Sequence, residues 1–431
     1  MQLSQYKLGE LINVRRGASL SGDYYSTEGE LMRLTLGHFD YQGGGFKNNT
    51  SKNDLYFVGS VKKEFILDEG DIITPLTEQT PGLLGSTAQI PESDKYIQSQ
   101  DIALIIPDES KLDRDFCYYL LPSKIVKQQL AAGAQQTKIR HTTPDRIKEL
   151  TVFIPKLAQQ KRIGKLLKSI DCKIALNREI NRNLEAMARK LYDYWFVQFD
   201  FPDENGRPYK SSGGKMVWNE KTKREIPENW EVKPLGELAV FRNGINYSKD
   251  EIGTECSIVN VRNISASSLL IDGEDFDKVE IANGKEQNYF ISNQDIIIAR
   301  SGCPGATRIL WQPNNAIFCG FIICCKPNNV DSRFPITFRL KQLEGTSATQ
   351  SGGSILKNVS QDTLKRVLIT LPDERVLKTF NETINEILTK SYLSITETKL
   401  LEHQRDELLP LLMNGQVSVM PSEVNCDLSR D

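Results

Sequence analysis

In this chain of 431 residues the side chains best suited to chemistry are hydrogen-bond donors and acceptors on loops, not acids, bases or nucleophiles. One loop, GAQQTKIRHTTPDR over Gly133–Arg146, carries Gln135, Gln136, Lys138, Arg140 and His141. Another, TQSGGSILKNVSQD over Thr349–Asp362, carries Gln350, Ser354, Lys357 and Asn358. Amide, guanidinium and ammonium groups pair with phosphate oxygens and with the edges of nucleic-acid bases, so the chemistry they offer is recognition. Arg300-Ser301-Gly302 is a third candidate, at the end of the apolar run QDIII with Gly305 shaping the turn. The stretch that corresponds to it, Thr74–Gly85, has no Arg and offers Thr77, Glu78 and Gln79. Tyr41–Lys52 (YQGGGFKNNTSK) reads as a flexible polar loop that orders on a ligand. Plainer uses exist: Thr142-Thr143-Pro144-Asp145 has the pattern of a helix start. Arg15-Arg16 and Arg242-Asn243 suit domain packing as well as contact.

Reaction chemistry lacks its usual groupings. There is no NPPY- or DPPF-type loop of an amino-methyltransferase, no FxGxG turn for S-adenosylmethionine and no GxxxxGK[ST] phosphate loop of a motor. PDESK, Pro107–Lys111, places an acid two residues before a lysine, as in a fragment of a nuclease site. The separated acids such a site needs are missing, and a Pro-Asp turn after the strand DIALII accounts for the motif. His38, His141 and His403 stand apart from one another, without zinc or triad spacing. Eight cysteines show no CxxC pair and read as buried free thiols in a reducing cytoplasm.

Composition sets the bounds. The chain is long enough for two or three domains, and 39% hydrophobic with 26% charged residues is ordinary for a soluble protein. The start MQLSQYKLGEL has no basic segment followed by an apolar one, and no apolar run approaches the ~20 residues of a membrane span. A cytoplasmic protein is therefore expected. The net charge of −2 gives no support to nucleic-acid binding by itself, but its distribution is uneven. Lys124–Lys148 holds six Lys/Arg against one acid, and Lys156–Gln198 holds ten against four. Such runs are solvated helix faces or local basic surfaces.

The elements that must position these residues occur twice. LGEL at Leu8–Leu11 returns at Leu235–Leu238, and each copy leads to an Arg-containing turn closed by glycine, VRRG (Val14–Gly17) and FRNG (Phe241–Gly244). GDIITP (Gly70–Pro75) is echoed by QDIIIAR (Gln294–Arg300), and TPDRIKELTVFIP (Thr143–Pro155) by SQDTLKRVLITLP (Ser360–Pro372). The offset shrinks from 227 to 224 to 217, as for two copies of one domain that differ by a few loop residues. FILDEGDIIT, YIQSQDIALIIP and LTVFIP read as strands in the first copy, and YFISNQDIIIAR, NAIFCGFIICCKP and RVLITLP in the second.

After each copy the apolar period changes to four and three. Ile163, Leu167, Ile170, Ile174, Asn177, Asn181, Leu184, Ala188, Leu191 and Trp195 form a heptad seam. The offset of 217 gives Phe380, Ile384, Ile387, Ser391, Ser394, Thr398, Leu401, Arg405, Leu408 and Leu412. Both seams have apolar ends and a polar middle, so an antiparallel pair would align the polar layers. Leu166, Leu176, Met187, Leu388, Ile395 and Leu400 lie outside the seam and leave faces for partners. The Pro-, Gly- and Ser-rich stretch Phe199–Trp230 reads as a connector with turns rather than a core element. The expected class is α/β (α+β): two repeated mixed domains, separated by two long helices in an antiparallel coiled coil, with pseudo-twofold symmetry.

Domain, helix, connector, domain, helix is an order that resembles the specificity subunit of type I restriction–modification enzymes over nearly the whole chain. WFVQFDFP, NGRPYKSSGG and IPENWEVKPLGEL resemble that family's passage into its second recognition domain. IPKLAQQKRIGKLLKSID resembles the entry to its first conserved helix, although Ala158 stands before Gln159 and Gln160 where an acid is usual. LPDERVLKTF keeps the Pro and Glu374 but has Arg375 where Gln is usual. The resemblance implies target-recognition domains at 1–155 and 231–372, spacer helices at 156–200 and 373–415, a connector at 201–230 and a polar tail at 416–431. It implies that each domain reads one half of a split double-stranded DNA sequence, and that the paired helices set the gap and dock two methyltransferase subunits. Motor-nuclease restriction subunits join through these. The chain itself would hold no catalytic residue, metal or cofactor; S-adenosylmethionine, ATP and magnesium would be bound by partner subunits. On the residues alone, a tandem-domain scaffold recruiting partner helices and a stand-alone site-specific nuclease remain alternatives.

Overall fold

The computed structural model describes residues 2–40, 44–78, 82–133, 140–248, 250–271, 276–345 and 359–420. The chain forms two compact units, Met1–Ile174 with Leu400–Asp431, and Ala175–Lys399.

In the first unit Ser4–Lys7 pairs antiparallel with Thr151–Ile154 and ties the two ends of the mixed segment together. Between them Ile12–Arg16, Ile102–Pro107, Ile72–Pro75 and Ala88–Gln89 lie side by side in an antiparallel sheet. The unbroken apolar run Ile102–Ile105 follows from burial on both faces of this strand. Ala103 and Ile105 join a core with Leu8, Leu11, Phe116 and Ile147. Ile102 and Leu104, pointing the other way, join a smaller core with Leu34, Phe39 and Leu67.

The second unit repeats this plan. Glu231–Pro234 pairs with Leu368–Leu371, and the sheet runs Ala239–Asn243, Ile322–Pro327, Ile296–Ala299, Thr307–Leu310, Leu270–Ile271. Its buried strands also split by alternation. Ile296, Ile298, Ile323 and Cys325 join one core, while Ile297, Ala299, Ile322 and Cys324 join another.

Backbone bonds superimpose the copies residue by residue. Leu8 N donates to Leu150 O and Leu235 N to Val367 O, each at 2.8 Å. Gly17 N donates to Ile102 O at 3.2 Å and Gly244 N to Ile322 O at 3.0 Å. The glycine closing each Arg-containing strand is dictated by crowding. A Cβ on Gly17 would lie 2.2 Å from Ser99 O, and one on Gly244 2.0 Å from Cys319 O. Arg15-Arg16 and Arg242-Asn243 themselves lie in strands rather than turns.

Helix Leu157–Tyr192 continues through a π-turn, Asp193–Val197, and the second long helix is Glu374–Met413. Within the second unit Asn177 Nδ2 donates to Glu397 Oε2 at 2.7 Å and Ser394 Oγ to Asn177 O at 3.0 Å, while Ser391 donates to Asn181. Higher numbers on one helix meet lower numbers on the other, so the pair is antiparallel. Asn177 and Ser391 are buried, and their bonds satisfy polar groups that would otherwise be costly there. Leu184, Ala188 and Leu191 pack with Phe380, Ile384 and Ile387 in the same unit. Within the first unit Ile163 and Leu167 share a core with Leu412 and Met413, and Leu408 packs against it. There the polar seam residue Arg405 pairs with Asp171 at 3.0 Å, and Tyr119 Oη donates to the same carboxylate at 2.6 Å.

Three sequence readings need correction. The connector is not merely turns: it holds a hairpin, Met216–Asn219 with Arg224–Pro227, and Phe199, Phe201 and Trp230 are buried with Phe196 and Phe380. Leu166, Leu388 and Ile395 pack onto the cores of their own units, whereas Leu176, Met187 and Leu400 are at least half exposed. Among the cysteines Cys172 is exposed on its helix, while Cys117, Cys256, Cys319, Cys324 and Cys325 are buried.

Candidate nucleic-acid interface

Strand ends place the polar side chains of the first unit. Thr77–Glu78 continues beyond Ile72–Pro75 and pairs antiparallel with Arg140–His141. That pairing sets His141 opposite Thr77, on the wall of a cleft of about 820 Å³. The polar loop Lys47–Lys52 lines it too, as do Gln100 and Asp101. His141, Lys52, Asn48 and Gln100 are exposed there, so the cleft combines a cation and an imidazole with amides that both donate and accept. Gln135, Gln136 and Lys138 lie outside the described residues, as does Gln79.

Glu78 cannot read a base. Its carboxylate is buried and accepts the backbone N–H groups of Gly82, Leu83 and Leu84 at 3.0, 2.9 and 3.0 Å. Arg140 stands 3.5 Å from the same carboxylate with its side chain 39% exposed. Glu78 therefore shapes a turn and steadies Arg140, which keeps donors facing water.

Thr35, Leu36 and Gly37 also line the cleft, and His38 caps their turn. Its Nδ1 accepts the N–H of Thr35 at 3.0 Å, and Asn49 Nδ2 donates to Thr35 Oγ1 at 2.9 Å, which pins the Lys47–Lys52 loop to the same turn. Burial pushes the imidazole pKa down to about 4, so the ring is neutral at physiological pH. In the second unit Asn263 Oδ1 accepts the N–H of Asn260 at 2.8 Å, the same bond made by an amide. His38 is thus a capping residue. His141 lines the cleft and His403 faces Glu407 at 3.5 Å on the second long helix.

The equivalent edge of the second unit is built on the same backbone bonds with different side chains. Leu76 N donates to Asp101 O and Arg300 N to Phe321 O, both at 2.8 Å. Thr142 N donates to Leu76 O at 2.8 Å and Val359 N to Arg300 O at 3.0 Å. Arg300 thus takes the place of Leu76, Ser301 that of Thr77 and Phe321 that of Asp101. Leu76 is buried, but Arg300 is exposed, and Phe321 is 61% exposed beside it. Gly302 and Gly305, with φ of +78° and +82°, turn the chain sharply behind Arg300. Gln350, Ser354, Lys357 and Asn358 lie outside the described residues.

Other candidates are structural. Arg242 pairs with the buried Asp295 at 3.0 Å and donates to Asn288 O and Phe290 O, and Arg16 donates to Gln100 O. PDESK is a capped turn: Asp108 accepts from Ser110 and pairs with Lys111, which hold its carboxyl down at about 2.

Two copies of one frame, each ending in a different set of donors, are matched by the comparison with known families. A model described as the type I restriction modification DNA specificity domain matches residues 3–186 and again residues 227–404. The chain belongs to this family. It is a specificity subunit of a type I restriction–modification system, with two repeated recognition domains. It is 23% identical over 414 residues to the type I restriction enzyme HindI specificity subunit of Haemophilus influenzae, covering 83% of this chain and 88% of that protein. It is 23% identical over 330 residues to the MjaIX specificity subunit of Methanocaldococcus jannaschii, covering 74% and 73%. In fold it is similar to the crystal structure of the S subunit of the type I system from M. genitalium, with TM-score 0.59, 16% identity and 96% of each chain covered.

Within the recognition domains sequence reasoning missed Phe321, Gln100 and the buried role of Glu78. Phe321 sits in the run FCGFIICC, which reads as continuous core. Aligning that run with QSQDIALII at an offset of 220, between the 224 of the preceding strands and the 217 of the last, would have set Phe321 against the acidic Asp101 and marked it as exposed.

Proposed function

We propose that each recognition domain reads one half of a bipartite double-stranded DNA sequence, and that the chain performs no chemistry of its own. The observation that carries this reading is the shared strand-end frame. It sets Gln100, Asp101 and His141, beside the buried Thr77, at the edge of one domain, and Arg300, Ser301 and Phe321 at the edge of the other. One backbone frame that ends in different side chains, Leu76 against Arg300 and Asp101 against Phe321, is what reading two different half-sites requires. An Arg at such an edge pairs bidentately with guanine O6 and N7, and an exposed Phe contacts a thymine methyl in the major groove. Lys52 and Arg140 suit phosphate contacts that fix register. Lys138, Gln135, Gln136, Gln350, Lys357 and Asn358 belong to the same loops in sequence and complete the proposed interface.

The two long helices set the unspecified gap between half-sites and dock two methyltransferase subunits, through which motor-nuclease subunits join. Half-exposed Leu176, Met187 and Leu400 support docking on faces outside the seam. S-adenosylmethionine, ATP and magnesium then belong to those partner subunits, and the complex works in the cytoplasm.

Arg300→Ala, expressed with its methyltransferase subunits, tests the reading by sequencing of methylated sites. Loss of a bidentate contact, about 1–3 kcal/mol, relaxes one base position in one half-site and leaves the other half unchanged. A methylated sequence identical to that of the wild type removes Arg300 from the interface.

A further inference from the structure

A second cavity, of about 390 Å³, lies within the second unit where the first long helix ends. Tyr192 forms part of its wall, Lys221, Thr222 and Arg224 come from the connector hairpin, Arg339 from helix Arg333–Leu343 and Thr370 from strand Leu368–Leu371. None of these residues belongs to the base-reading edge. Three of them are cations, and their hydrogen bonds go to neutral oxygens. Arg224 donates to Phe196 O at 3.4 Å, Arg339 to Gln342 Oε1 at 3.2 Å and Lys221 to Val232 O at 3.3 Å. The carboxylate of Asp193 is held by Gln342 Nε2 at 2.6 Å, one side chain removed from Arg339. Burial, and then the charge of Arg339, holds the Arg224 pKa below its ordinary value. Like charges gathered in a partly buried space, with acceptors that are only neutral, carry a repulsion that a bound anion relieves.

We propose that this cavity binds a phosphate-class oxyanion, with Arg224 and Arg339 as forked donors, Lys221 as the third charge and the hydroxyls of Thr222 and Thr370 closing the site. Guanidinium forks match tetrahedral oxyanions in geometry as well as charge. The volume falls at the lower end of the range for small-ligand sites, roughly 300–1,000 Å³, and leaves room for a group esterified to the phosphate. Two sources share this chemistry, a free phosphate compound and a phosphate of the DNA backbone.

The test uses the full chain and inorganic phosphate or pyrophosphate as probe, with chloride at matched ionic strength as reference. Thermal unfolding of the wild type should shift upward in a saturable way with the probe. Arg339→Gln should weaken that response at least tenfold, yet melt close to wild type in chloride, because the repulsion it removes offsets the exposed bond to Gln342 that it loses. Arg224→Gln should weaken the response as well, with some loss of stability in chloride because Arg224 also bonds Phe196 O, and Arg339→Lys should keep part of the response. If the source is DNA, the free probe will not saturate, and Arg339→Gln will reduce the salt slope of DNA binding by about one with the target sequence unchanged. Equal stabilisation of wild type and both Gln variants would show a general salt effect and overturn the site. Absence of saturable stabilisation together with an unchanged salt slope would overturn it as well.

Discussion

His38 makes the first recognition domain sensitive to acid in a way the second is not. Its ring is fully buried, Nδ1 is committed to the Thr35 N–H, and Nε2 is buried without a hydrogen-bond partner. A second proton would turn the accepting Nδ1 into a donor facing a donor, and would set a buried charge near Arg33. Burial lowers the pKa from the ordinary 6.5 to about 4. Because the folded value is the lower one, the unfolded chain takes the proton first. The stabilisation is fully present above pH 6.5 and is lost as pH falls from there toward 4. At ~1.4 kcal/mol per unit, the loss reaches about 2 kcal/mol near pH 5 and about 3 kcal/mol at pH 4. Asn263 supplies the control, since it makes the same capping bond without titrating. His38→Asn should therefore keep the turn and remove this part of the pH dependence. Denaturant unfolding at about pH 7.5 and about pH 5 measures it: wild type should lose ~2 kcal/mol more than the variant across that interval. Parallel losses in the two proteins, or a His38 titration near 6.5 by NMR, would refute the reasoning.

Glu78→Ala should destabilise the first unit by about 3–5 kcal/mol, since three backbone N–H groups lose a charged acceptor, while Glu78→Gln should recover part of the loss. Chemical unfolding checks this, and a loss under about 1 kcal/mol would mean that water serves the turn equally well. Inserting four residues into helix Leu157–Tyr192, N-terminal to Asn177, adds about 6 Å of helix. Sequencing of methylated sites should then show both half-sites retained, with the unspecified gap one or two base pairs longer. An unchanged gap in a soluble variant would mean that something other than these helices sets the spacing.

What was legible in the sequence was what repeats or alternates locally. The buried strands Ile102–Pro107 and Ile322–Pro327 announce themselves as apolar runs, and the polar middle of both helical seams anticipates the bonds of Asn177 and Asn181 across the pair. What was not legible depends on contacts between distant residues. Arg242 looks like a candidate reader until Asp295 is found beside it, more than fifty residues away in sequence. Glu78 looks like a polar loop residue until the Gly82–Leu84 amides close around it. Phe201 and Trp230 sit among turn-forming residues, and only their stacking, at 5.0 Å between ring centroids, shows that the connector contributes to a core. Phe321 shows the converse: an apolar residue in an apolar run, turned outward because its frame ends there.

The central claim is that the two recognition domains read DNA independently. Replacing residues 1–155 with the corresponding domain of a relative that has a different target, and sequencing the sites methylated by the chimaeric complex, tests it most directly. The first half-site should change to that of the donor, while the second half-site and the gap persist. A change in both halves, or in neither, would contradict independent reading.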